Sequence, residues 1–122
     1  MAKESKYDLE ERLIDFAVVI PDIVDDLPAT RLGNYISAQL VRSGCSPVLN
    51  YGEAQSAESR NDFIHKMKII LKELTESLIS IKIIEKKNLY DQKKVLSAKD
   101  ECNQLISIFV KSIETAKRNN IK

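Results

Sequence analysis

Apolar residues recur at three- and four-residue intervals along nearly the whole chain, a spacing that predicts helices and not strands. From Tyr7 to Asp26 one stripe carries Leu9, Leu13, Phe16, Ala17, Ile20, Ile23 and Val24. Pro21 falls inside that stripe, so a kink or local break is expected after Val19. Leu27 to Thr30 reads as the first connector, with Pro28 suited to the first turn of the next helix. That second helix is predicted from about Ala29 to Gln55, with Leu32, Ile36, Leu40, Val48, Tyr51 and Ala54 inward. It runs through Arg42-Ser43-Gly44-Cys45-Ser46-Pro47, the least helix-friendly stretch of the chain. Pro47 lacks an N–H and its ring crowds the Ser43 carbonyl, so one kinked helix is expected in preference to two stacked ones.

Ser59 and Asp62 stand like a capping box at the start of a third helix. Its apolar face is Phe63, Met67, Ile70, Leu71, Leu74, Leu78, Ile81 and Ile84, and Lys72 and Glu76 lie at ion-pair spacing beside it. The helix is expected to reach Lys87, and Asp91 then caps a fourth. The fourth places Val95, Ala98, Cys102, Leu105, Ile106, Phe109, Val110, Ile113 and Ala116 inward and ends near Arg118. Four amphipathic helices with short connections predict an all-α protein, an antiparallel four-helix bundle with its second helix kinked near Pro47. One domain is expected over 1–122, with an ordered core of about 7–118.

Composition narrows this further. Of 122 residues, 43% are hydrophobic and 30% charged, a mixture that can bury one core and argues against disorder. All three glycines and all three prolines lie between Pro21 and Gly52. The rest of the chain therefore lacks the turn residues that a many-stranded β-fold requires. Cys45 and Cys102 are too few for a disulfide framework or a zinc knuckle and suit a reducing compartment. Neither a signal peptide nor a membrane-spanning segment is visible, which predicts a cytoplasmic protein.

Net charge is only +1, yet the halves differ. Residues 1–61 hold six Lys/Arg and ten Asp/Glu, whereas residues 62–122 hold thirteen and eight. Two solvated faces of opposite sign account for this most simply. An acidic face meeting a basic face of another subunit, or a basic half facing phosphate, are the sharper alternatives.

Arg42-Ser43-Gly44, Asn50-Tyr51-Gly52-Glu53-Ala54 and Asp62-Phe63-Ile64-His65-Lys66 form a spaced pattern. It continues through Ile69-Ile70-Leu71-Lys72-Glu73-Leu74-Thr75-Glu76 and closes with Ser112-Ile113-Glu114-Thr115-Ala116-Lys117. In these blocks the chain resembles the bacterial four helix bundle proteins, also called the 23S ribosomal RNA intervening-sequence proteins, over about residues 7–118. The resemblance implies a small bundle assembled into a homopentameric ring. It also implies an RNA connection, because some members are encoded within ribosomal RNA genes. Relatives serving diversity-generating retroelements bind a reverse transcriptase and nucleic acid. Two departures stand out. Ser46-Pro47-Val48-Leu49 replaces a common Ser-Ile-Gly-Ala, and Ser77-Leu78-Ile79-Ser80 stands where relatives carry aromatic residues. The second thins the third helix and bears on the subunit count more than on the fold.

Three polar residues, Arg42, Asn50 and Glu53, lie beside the buried stripe of the second helix. One reading is a ligand or partner notch opened by the Pro47 kink. The favoured reading is structural: Arg42 or a neighbouring lysine pairs with Glu53, and Asn50 satisfies backbone freed by the kink. A basic cluster of Lys82, Lys86, Lys87, Lys93, Lys94 and Lys99, with Tyr90 among them, marks the hairpin between the last two helices. It is a candidate RNA-binding surface, with Tyr90 placed to stack on a base. Solubilising lysines are the plain alternative, and the resemblance brings the two close to parity. His65 is the only histidine, and Glu73 and Glu76 lack the Glu-x-x-His of di-iron bundles, so neither a metal nor a cofactor is expected. No nucleophile–base pair or glycine-rich phosphate loop is present in the sequence, which predicts a protein without catalytic activity. The expected partners are further copies of the chain and either RNA or an RNA-associated protein; the alternative is an oligomeric adaptor with a protein partner alone.

Overall fold

The chain turns where the periodic apolar pattern gives way to short polar residues that cap helices. The computed structural model describes residues 6–121, which form α1 (Lys6–Asp25), α2 (Arg31–Gln55), α3 (Arg60–Lys86) and α4 (Gln92–Ile121). No strand occurs among the described residues. Thr30 caps α2 by accepting a hydrogen bond from the Gly33 N–H at 3.0 Å, so the helix starts at Arg31 and Pro28 precedes the cap instead of opening the helix. Gly33 is required there, because a Cβ at that position would collide with the Pro28 carbonyl oxygen. Ser59 caps α3 through the Asp62 N–H, and Asp91 caps α4 through the Lys94 N–H at 3.1 Å, both as expected.

Between α3 and α4 the chain reverses through Asn88, which takes a positive φ of 52°. The Leu89 N–H donates to the Ile84 carbonyl and the Asn88 N–H to the Glu85 carbonyl, the paired bonds that close a helix C-terminus with a left-handed residue. Asparagine tolerates that conformation better than most residues with a side chain.

Cross-helix contacts show that neighbours run antiparallel. Arg42 meets Glu76 while Glu53 meets Lys66, and Glu85 meets Lys99 while Leu74 meets Cys102. Both interior prolines sit within continuous helices. α2 is a single helix through Pro47, which is itself buried, and the kink expected there is not confirmed. α1 likewise continues through Pro21 with no break after Val19.

The core is one cluster fed by all four helices, with Leu13, Ile20, Leu40, Ile70, Leu74, Leu105 and Phe109 at its centre. Tyr51 of α2 meets Phe109 of α4 edge-to-face, ring centroids 6.0 Å apart. The predicted stripes hold with local shifts. Val110 is 39% exposed and not inward, while Ser43, Gly44, Pro47, Ser77 and Ser80 are buried. Small side chains there let the backbones approach. A Cβ on Gly44 would lie 2.7 Å from Cγ1 of Ile20. The four helices do not close evenly. α2 packs tightly on α3, α3 on α4 and α1 on α2, but α1 and α4 barely meet.

Candidate functional site

Arg42, Asn50 and Glu53 line one flank of α2 and all three reach α3. The Arg42 guanidinium lies 2.9 Å from the Glu76 carboxylate and also donates to Gln39. Lys66 donates to Glu53 at 2.8 Å, as the structural reading required of a neighbouring lysine. Asn50 does not serve freed backbone. Its amide donates instead to the Glu73 carboxylate at 3.0 and 3.3 Å. Between these pairs the Ser77 hydroxyl donates to the Ser43 hydroxyl at 2.8 Å in a buried contact. Glu76, expected beside Lys72, is thus drawn across to Arg42, and Glu73 is half-buried. Burial pushes the Glu73 carboxyl above its ordinary value, even though Asn50 and Arg42 pull it down. The hydrogen bond from Lys66 to Glu53 raises the lysine in turn. The arrangement is a polar seam that registers one helix on the other.

The lysine cluster occupies the end of the α3–α4 hairpin and is not uniform. Lys99 is bound to Glu85 at 2.8 Å. Lys94 stands 5.9 Å from the centre of the Tyr90 ring, in cation–π range. Tyr90 is half-buried against the core, so one side of its ring is committed to packing. Lys82, Lys86, Lys87 and Lys93 are exposed and form no ion pair among the described residues. Lys82, Lys86 and Lys99 flank a small cleft of about 400 Å³ around Glu85, and Gln92 ties the turn by donating to the Glu85 carbonyl and the Asn88 side chain.

Sequence periodicity gave no sign of a groove between α1 and α4. It holds about 510 Å³, floored by Phe16, Ile23 and Ala98 and walled by Asp15 and Asp22 on one side and Tyr90 and Lys94 on the other. Its signal was present in the charges on the flank of α1, but reading them required knowing that this flank faces α4. Arg12 closes one end, gripping Glu101 with two nitrogens at 2.9 and 3.0 Å. A second cleft, of about 740 Å³, lies at the other end of the bundle beside Tyr51, Phe63 and Met67.

Cys102 is buried, its thiol donates to the Leu74 carbonyl, and burial pushes its pKa up to about 12, far from a reactive thiolate. Cys45 is half-buried and donates to the Ala17 carbonyl. His65 is exposed. Burial, reinforced by the nearby Glu10 carboxylate, raises the Tyr51 phenol. Among the described residues no group of three His, Cys, Asp or Glu side chains is placed to hold a metal ion, and no helix is long and apolar enough to cross a membrane.

The sequence model of the 23S rRNA-intervening sequence proteins matches residues 5–111. Among solved structures, a protein of unknown function from the S23 ribosomal protein family of Bacteroides thetaiotaomicron is similar at 27% identity and a TM-score of 0.79. That likeness covers 86% of this chain and 97% of the other. No curated protein matches the sequence significantly.

Proposed function

The chain belongs to the 23S rRNA-intervening sequence protein family, and from that membership we propose a non-enzymatic, cytoplasmic, homopentameric bundle that binds RNA through the lysine end of the α3–α4 hairpin. The observation that carries this reading is the exposure of Lys82, Lys86, Lys87 and Lys93 at one end of the fold, without ion-pair partners among the described residues. Such cations release the counterions of phosphate when they bind it. In a ring, every subunit presents the same end, and weak contacts gain by avidity. Assembly is supported by apolar side chains left on the outer face of α2, where Tyr35 is 62% and Leu49 69% exposed. The absence of catalysis in this reading rests on the inert setting of Cys102 and on a solitary, exposed His65.

The test is fluorescence anisotropy of a labelled single-stranded RNA against the wild type and a K82E/K86E/K87E/K93E variant between about 50 and 200 mM salt. The wild type binds with a steep salt dependence, and the variant loses both affinity and slope, by about 0.7 in log–log slope for each phosphate contact removed. Undiminished binding by the variant overturns the assignment of this surface. The outer face of α2 favours a second reading, an oligomeric adaptor with a protein partner and no nucleic-acid contact. A wild type that forms an oligomer by light scattering yet leaves RNA free at low salt moves the weight to that reading.

A further inference from the structure

A four-helix bundle normally buries apolar residues along each of its four seams. Along the α1–α4 seam that burial is confined to deep positions such as Phe16, Ile23 and Ala98. α1 turns Asp15 and Asp22 toward it and α4 turns Ser97 and Lys94, none of which can be buried unpaired at acceptable cost. The helices stand apart there, and Phe16 and Ile23 floor the trough that results, with Val19 left 42% exposed on its wall. The trough starts at the Arg12–Glu101 bridge and ends at Tyr90. From Arg12 to Ile23 of α1 that is about 16 Å, or three helical turns.

We propose that this trough docks an amphipathic helix of another protein, one carrying apolar anchors with lysine or arginine beside them. Shape and charge both select that occupant. A trough between two antiparallel helices accepts a third helix laid along it, with anchors at i, i+3 or i+4, and i+7 resting on Val19 and the Tyr90 ring above a floor that the bundle already buries. The α1 wall offers the carboxylates of Asp15 and Asp22, which form no ion pair among the described residues, and other acids of α1 extend the same sign. A basic flank on the docked helix meets that wall and an acidic one is repelled by it. Lys94, held over the Tyr90 ring, sets the orientation by disfavouring positive charge on the opposite side. This inference is independent of the RNA reading, because the residues that test it lie outside the lysine set.

The probe is a fluorescein-labelled peptide of about fourteen residues, with leucines at i, i+3, i+4 and i+7 and lysines on the flanks, titrated into the full-length protein. A control peptide carries glutamate in place of lysine. Asp15→Lys with Asp22→Lys reverses the wall, and Ser97→Trp fills the trough from an exposed position without changing charge. The lysine peptide binds the wild type in the micromolar range, and each variant weakens it roughly tenfold or more, equivalent to about 1.4 kcal/mol. Light scattering gives the same particle mass for all three proteins. Equal binding by the variants, or equal binding of the glutamate peptide, overturns the proposal. So does a changed particle mass in the variants, which assigns the trough to a contact between copies of the chain.

Discussion

The two lateral seams of the bundle differ in how they treat charge. Along α2–α3 each charged group near the core has a partner of opposite sign or a hydrogen bond across the interface, and serines at the closest approach keep the helices tight. Along α1–α4 Arg12 spans the gap to Glu101 and Gln104, while Asp15 and Asp22 face a trough. Polarity alone does not decide whether helices close. Complementary polar groups at matched heights zip a seam, whereas charges that find no partner across it stay in water and leave it open. The closed seam is therefore expected to carry stability, and the open one to carry recognition.

The largest effect that probes this contrast comes from removing core volume. Leu74 is fully buried between α2, α3 and α4, and Leu74→Ala is expected to cost about 2–5 kcal/mol. Val19→Ala on the open seam is expected to cost below about 0.5 kcal/mol. Urea unfolding of both variants at one protein concentration checks the pair, and comparable losses would erase the distinction. A smaller effect comes from the buried hydroxyls. Ser77→Ala strands the Ser43 hydroxyl without its partner and is expected to cost about 1–3 kcal/mol, while S43A/S77A recovers part of that loss. A double variant as unstable as the sum of the singles would mean that the pair contributes nothing as a pair.

Much of the fold was legible because the 3.6-residue period survives in every helix and because Ser59 and Asp91 announce their helices by capping chemistry. Thr30 does so too, but Pro28 drew the expected start of α2 two residues early. Pro47 marked a kink because the loss of one N–H is visible in sequence, whereas its burial within a continuous α2 is not. The polar residues of α2 were legible as a group that must be paired, and a neighbouring lysine for Glu53 with them, but Glu73 and Glu76 as the partners of Asn50 and Arg42 were not. Periodicity gives the face of a helix but not the register between helices, and only register decides that Asn50 meets Glu73 and that Glu76 meets Arg42 instead of Lys72. The trough was hidden for the same reason, since Asp15 and Asp22 read as ordinary solvated acids until α4 is placed opposite them. Tyr90, an expected base-stacking residue, turned out to divide its ring between Lys94 and the core.

The finest test of the closed seam is its dependence on pH through Glu73. Burial is the dominant influence on this carboxyl and raises it above the ordinary 4.5, against the pull of Asn50 and Arg42. The folded state therefore holds its proton more tightly than the unfolded chain does. The contribution of Glu73 to stability is greatest below the unfolded value, falls as pH rises through it toward the folded value, and stays low beyond. Glu73→Gln cannot ionise and keeps a side-chain oxygen for the Asn50 amide. It is expected to be more stable than the wild type at neutral pH, by less than about 1 kcal/mol, with the advantage vanishing near pH 4. Asn50→Ala removes a hydrogen bond that favours the charged carboxylate, so it raises the Glu73 pKa further and steepens the loss of stability between acid and neutral pH. Parallel stability–pH curves for the wild type and Glu73→Gln would show that the seam charges Glu73 without cost and that its closure rests on the apolar core and the serine contact alone.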